Sequence, residues 1–241
     1  MGAGVTSALR VAHCSDVHLD PDTYGGGPGR RERQRQAFVA VLDAITGRQP
    51  DLLLLAGDLF DSNTASLETI EWAMQTLSRL GFPVVMIPGN HDCLEPGAIY
   101  SRHDFNRIPN VRLLVQEAGE TAHLPELSAA VWGKGMAEHA PEFRPLHGCP
   151  DRPEGVRWYL GMGHGLYMPD AGQAWRSSPI RKAEIESSPC DYLALGHHHA
   201  AMAFAGAAYC GSPTDTVGGG ATYVIVDLAE GQAPELAVHV V

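Results

Sequence analysis

The chain has 241 residues, 44% hydrophobic and 19% charged, with 28 acidic side chains against 17 basic ones. A chain of this size can bury a substantial core, and its net charge of −11 argues against a protein that grips nucleic acid through a broad basic face. No apolar run reaches the roughly 18 residues of a membrane span. The amino terminus lacks the basic and then apolar pattern of a secretory signal, so a cytoplasmic protein with reduced thiols is expected from five cysteines without CxxC spacing.

The first half alternates strand and helix. "ALRVAHCS" reads as a buried strand. "RRERQRQAFVAVLDAITGR" has helical spacing, with Ala37, Val41 and Ile45 on one face and Phe38 with Leu42 beside them. "PDLLLLAGD" is a second buried strand. "TASLETIEWAMQTLSRLG" is a helix opened by Thr64 or Ser66 and stopped at Gly81, and "FPVVMIPGNHD" is a third strand. A β-α-β-α-β order implies parallel strands joined by right-handed crossovers.

After Asn110 the pattern changes to short strand-like runs, "VRLLV", "SAAVWG" and "VRWYLGMGHG", between loops rich in Pro and Gly. Residues Ala137–Glu154 read as a surface loop and "SPIRKAEIESS" as one helix. "DYLALGH", "AMAFAGAAYCGS", "TYVIVDL" and "ELAVHVV" then read as further strands, so the second half is expected to form mainly a second sheet. No repeat, low-complexity tract or long linker divides the chain, and residues 1–241 are taken as a single domain.

Polar residues gather where the strands end. The first offers Asp16 and His18, the second Asp58 and Asp61, and the third Asn90, His91 and Asp92. Two later strands end in His164 and in the triplet His197, His198 and His199. The carboxyl edge of an open α/β sheet is where ligands bind, and the neighbouring glycines permit tight turns there. Two cations about 3.5–4 Å apart need a bridging carboxylate, and Asp58, on the central strand of the three, is placed to be it. A mixture of carboxylate and imidazole suits Mn²⁺, the leading expectation, or Fe²⁺ or Zn²⁺, better than Ca²⁺ or Mg²⁺. A spacing of two puts Asp16 with His18, and His197 with His199, on one side of an extended chain, turning His198 away.

Together the motifs Asp16-Val17-His18, Gly57-Asp58-Leu59-Phe60-Asp61, Gly89-Asn90-His91-Asp92, Gly163-His164 and Gly196-His197-His198-His199 resemble those of the calcineurin-like metallophosphoesterase superfamily. The run "GDLFDS" and the element Tyr209-Cys210-Gly211-Ser212 are most similar to the DNA-repair exonuclease branch that includes the nuclease subunit of bacterial SbcCD. The resemblance implies a four-layer α/β/β/α sandwich with two mixed sheets. It implies one metal held by Asp16, His18 and His199, a second by Asn90, His164 and His197, and Asp58 between them. It also implies that His91 faces the substrate phosphate with Asp92 behind it, orienting the ring. The activity implied is hydrolysis of phosphodiester bonds in DNA or, alternatively, of a small nucleotide or other phosphorylated metabolite. The chain ends at Val241, so the capping domain and ATPase-docking segment of those nucleases are expected to be absent, and an ATPase partner with them; a homodimer is compatible with the resemblance.

The remaining polar residues carry weaker readings. Asp61 is expected to cap the following helix, and His13 to pack within its strand. His103, His123, His139, His147 and His239 default to surface or loop positions. Arg30, Arg31, Arg33 and Arg35 follow the first motif. The plain reading is a solvated first turn of a helix. The functional one is contact of Arg30 and Arg31 with substrate phosphate, behind a lid made flexible by Gly25 to Gly27.

Overall fold

The structure, a computed structural model, describes residues 8–21, 27–169, 178–214 and 221–241. In chain order its strands and helices are β1 (Ala8–Cys14), α1 (Gly27–Gly47), β2 (Leu52–Ala56), α2 (Leu67–Ser78), β3 (Val84–Ile87), a single turn α3 (Ile99–Arg102), β4 (Val111–Leu113), β5 (Glu120–Leu124), β6 (Ala129–Gly133), β7 (Trp158–His164), β8 (Leu166–Met168), β9 (Pro179–Arg181), α4 (Lys182–Glu186), β10 (Tyr192–Gly196), β11 (Met202–Phe204), β12 (Ala207–Tyr209), β13 (Thr222–Ala229) and β14 (Glu235–Val240).

These build two six-stranded mixed sheets, β14-β13-β1-β2-β3-β4 and β11-β12-β10-β7-β6-β5, with β8 and β9 as a small separate pair. Period-2 alternation sorts the side chains into layers. From β1 and β2, Ala12, Cys14, Leu53 and Leu55 face Phe38, Val41 and Ile45 of α1 and Ile70, Ala73 and Leu77 of α2. The alternate residues Leu9, Val11, Leu52, Leu54 and Ala56 face the second sheet, meeting Val131, Leu160, Met162, Tyr192 and Ala194. The far face of that sheet, Trp132, Tyr159, Leu193 and Tyr209, is covered by Leu146, Ile180 and Ile185. Three apolar layers between four structural layers is the expected α/β/β/α sandwich.

The first three strands and two helices fall where the sequence places them. Ser66 caps α2 by accepting from the Thr69 amide, and the helix closes at Arg79, two residues before Gly81. Three strands depart from expectation. β4, β13 and β14 belong to the first sheet: β4 runs parallel to β3, and β13 pairs antiparallel with β1 over Ala8–His13. A buried apolar run fixes that a strand is covered on both faces, not which sheet supplies its neighbours. β13 returns to close the open edge of β1, its Tyr223 and Ile225 facing the helices and Val224 and Val226 the other sheet. The helix expected over "SPIRKAEIESS" shrinks to the five residues of α4 behind β9, since Pro189 disfavours helix at Ser188. No helix among the described residues is long and apolar enough to cross a membrane.

Candidate metal centre

β1, β2, β3 and β10 stop just short of Asp16, Asp58, Asn90 and His197, and β7 ends on His164. Four of the chain's turns into these positions are strained. Asp16, His18 and Asp58 have φ of 55°, 50° and 53°, and His197 has 99°, in a region L-residues seldom occupy. A lattice of backbone bonds holds them there. Asp16 donates to the Gly57 carbonyl at 3.1 Å, and Val17 and His18 both donate to the Asp58 carbonyl, at 2.8 and 3.0 Å. Gly57 adopts φ 91°, and a Cβ on it would collide with the His164 ring; a Cβ on Gly89 would strike the Asp58 carboxylate.

The side chains converge in two sets. In the first, His18 Nε2 lies 3.2 Å from His199 Nε2, and His199 Nε2 lies 3.8 Å from Asp16 Oδ1. In the second, Asn90 Oδ1 lies 2.9 Å from His164 Nε2 and 2.8 Å from His197 Nδ1. Asp58 Oδ2 stands between, 3.8 Å from His18 Nε2 and 3.2 Å from His164 Nε2. Donor atoms of Asp16, His18 and His199, and those of Asp16, Asp58 and His164, lie within 4.8 Å of one another. An outer contact fixes the ring: His164 Nδ1 donates to the Ala56 carbonyl at 2.8 Å, which points Nε2 at Asn90 and Asp58.

Burial sets the electrostatics. Asp16 and Asp58 are both buried. Burial lifts the Asp16 carboxyl above the ordinary range, while at Asp58 burial is outweighed by His164, His18 and His91, which hold it below that range. Burial disfavours the charged form of His164, but Asp58 and Asp16 prevail and lift the ring to about 9; burial and the neighbouring His164 hold His197 at about 3. Buried carboxylates facing converging imidazole nitrogens and an amide oxygen form a donor set that fits divalent cations of the Mn²⁺, Fe²⁺ or Zn²⁺ kind.

His91 sits at the rim, its side chain exposed, its ring edge-on to His18 with centroids 4.5 Å apart. Its amide donates to Asp58 Oδ1 at 2.8 Å, and its Nδ1 donates to the carbonyl of Asp61 at 2.8 Å. Asp92 does not orient it. The fully buried Asp92 carboxylate instead accepts from the amides of Leu59 (2.9 Å), Phe60 (3.2 Å) and Gly89 (2.7 Å) and from the Tyr100 hydroxyl (2.6 Å). It stitches the Asp58 loop to the Asn90 loop.

Asp61 likewise differs from expectation. Ser66 caps α2, while the Asp61 carboxylate stands 3.3 Å from His18 Nδ1 and its carbonyl holds His91. The Tyr209–Ser212 element is a strut: Tyr209 donates to the Gly165 carbonyl at 2.7 Å, and Ser212 Oγ donates to the Asp16 carbonyl at 2.7 Å. His198 turns away, against Tyr209 and the Ala200 backbone. Arg31 is ion-paired to Asp20, and Arg35 to Glu68 while lying over Trp72; Arg30 is exposed on the first turn of α1. Of the expected glycine lid, Gly25 and Gly26 lie outside the described residues. His139, expected at the surface, is half-buried beside the site, its ring centroid 5.3 Å from that of His197. Nothing in the sequence marks it, because it lies in an irregular segment with no motif around it.

Residues 9–201 match the family described as calcineurin-like phosphoesterase. The chain is 28% identical over 209 residues to the uncharacterized metallophosphoesterase YhaO of Bacillus subtilis, covering 79% of this chain and 48% of that protein. It is 28% identical over 136 residues to a protein of Pseudoalteromonas named "Probable cyclic nucleotide phosphodiesterase", covering 51% of each chain. It is 30% identical over 91 residues to the SbcD component of nuclease SbcCD from Staphylococcus saprophyticus, covering 36% of this chain and 24% of the relative. The chain thus spans about half, or less, of the length of these relatives.

Proposed function

The chain belongs to the calcineurin-like phosphoesterase family, and from that premise we propose that it hydrolyses phosphodiester bonds at a two-metal centre in the manner of the nuclease branch. The observation that carries this reading is the pair of donor sets sharing Asp58, with an exposed His91 fixed at their rim. Asp16, His18 and His199 would hold one ion, Asn90, His164 and His197 the other, and Asp58 both; Mn²⁺ is the proposed metal. Bound there, the ions supply Lewis-acid neutralisation of phosphoryl charge and an activated water.

The protein's own groups do the rest. Because Nδ1 of His91 is committed to the Asp61 carbonyl, Nε2 is the nitrogen that carries the mobile proton. Placed at the rim, it donates that proton to the leaving oxygen. Asp92, through its amide contacts, keeps the Asp58 and Asn90 loops in register. Arg30, free of the ion pair that occupies Arg31, is the proposed contact for a second phosphate.

A second reading, hydrolysis of a small nucleotide or phosphorylated metabolite, is favoured by the net charge of −11, and one relative is named for cyclic nucleotides. The deciding experiment offers Mn²⁺-loaded protein end-labelled single-stranded DNA, an aryl phosphodiester and an aryl phosphomonoester, with His91→Ala alongside. DNA cleavage lost in the variant supports the nuclease reading. Turnover of the small esters with DNA left intact transfers support to the second. No turnover of any of the three overturns both. His91→Ala should lose about 10²- to 10⁴-fold in kcat while keeping its metals.

A further inference from the structure

His139 lies in the irregular segment between β6 and β7, pinned on both sides. Three residues before it, the Met136 carbonyl accepts from the Leu94 amide at 2.7 Å, tying the segment to the loop that carries Asn90 and His91. One residue after it, the Ala140 carbonyl accepts from Ser178 Oγ at 3.2 Å. The ring therefore has a fixed seat, edge-on to His197 at 60°. Its Nε2 is buried and has no hydrogen-bond partner among the described residues. An unpaired buried ring nitrogen costs free energy, and one beside a polar cleft is accounted for by a ligand that pairs with it. Burial and then the charge of His164 hold the ring below the ordinary histidine range, and its contact with His197 seats it beside the second donor set.

Resting on the phosphoesterase reading above, we propose that His139 is a substrate-binding residue whose Nε2 hydrogen-bonds a non-bridging oxygen of the phosphoester seated at the Asn90–His164–His197 half of the site. Chemistry favours an anionic oxygen as the partner. The nitrogens of His164 and His197 and the Asn90 amide oxygen are already directed at one another, which leaves His139 Nε2, on the ring packed against His197, as the unpaired donor of this half of the site among the described residues.

The test compares wild type, His139→Ala and His139→Gln as full-length, Mn²⁺-loaded protein. Manganese stoichiometry, the affinity for inorganic phosphate by calorimetry, and the KM and kcat for an aryl phosphodiester are measured on each. A hydrogen bond to a charged oxygen predicts phosphate binding weakened roughly tenfold or more in His139→Ala. KM should rise by a similar factor, with kcat within about twofold and manganese unchanged. His139→Gln, whose amide sets a donor near the same point, should recover part of the loss. Unchanged phosphate affinity overturns the proposal, and so does loss of manganese from His139→Ala, which would make the residue a ligand or a prop. If the wild type turns over no ester, the phosphoesterase reading fails, while the phosphate titrations still decide the role of His139.

Discussion

Asp61 lends itself to a quantitative test because one residue reaches the site by two routes that mutation can separate. Its carboxylate supports His18 and its main-chain carbonyl supports His91. Asp61→Ala removes the first and leaves the second. Support of a metal-bound imidazole by an outer carboxylate is worth about 10- to 100-fold in metal affinity, or roughly 1.4–2.7 kcal/mol. The contact here is 3.3 Å long, longer than a tight hydrogen bond, which places the expected loss near the lower bound, about tenfold. Asp61→Asn keeps an acceptor without the charge and should lose less. Competition of Mn²⁺ against a fluorescent chelator gives the affinities, and kcat is then read at saturating metal. Near-normal kcat is expected there, since the carbonyl still orients His91. Metal affinity equal to wild type in Asp61→Ala refutes the supporting role, and a kcat collapse at full occupancy refutes the separation of the two routes.

Two further outcomes follow from the buried carboxylate and imidazole groups. Asp58→Asn removes the charge shared by both donor sets and should abolish high-affinity binding of both ions; a plasma-emission measurement finding two metals per chain contradicts the bridging role. His13, buried within β1 with Nδ1 2.8 Å from the Tyr192 hydroxyl, is held at about 3 by burial against an ordinary 6.5. The unfolded chain therefore binds the extra proton between these values, so stability falls as pH drops below 6.5. At about 1.36 kcal/mol per pH unit, this is roughly 2.7 kcal/mol lost by pH 4.5. Urea unfolding in chelator should show a shallower pH dependence for His13→Gln, and identical slopes would remove His13 as the cause.

The sequence made the site more legible than the architecture around it. Asp16, Asp58, Asn90, His164 and His197 each follow or end a strand, because side chains that converge on one sheet edge must leave their strands at the same end. Outer contacts were harder to read. Asp92 adjoins His91 in sequence and bonds elsewhere, while Asp61 reaches His91 from thirty residues away through a carbonyl, a group every residue possesses and no motif marks. His139 was illegible for the same reason: its seat depends on Met136 and Ala140 being pinned by residues distant in the chain. The allocation of β13 to the first sheet was hidden too, since a buried apolar strand carries its burial in its composition and its partners only in the closed fold, and β14 follows β13 as an exposed edge.

The donor sets also join the two sheets. Asp16, His18, Asp58 and Asn90 arise from the first sheet, and His164, His197 and His199 from the second. Among the described residues the layer between the sheets is mainly apolar, with His13 against Tyr192 and Ser15 against Cys210, and polar attachment of one sheet to the other gathers at this edge. Cations bound here would act on both sheets at once, and binding to the folded chain alone stabilises it by about 2.7 kcal/mol when free metal is a hundredfold above Kd. For a chain of this length that corresponds to roughly 5–11 °C in Tm. Thermal unfolding with Mn²⁺ and with excess chelator should differ by this order in wild type and not in Asp58→Asn. Superimposable wild-type curves would mean that the sheets are docked by their apolar layer alone and that the polar edge contributes chemistry without cohesion.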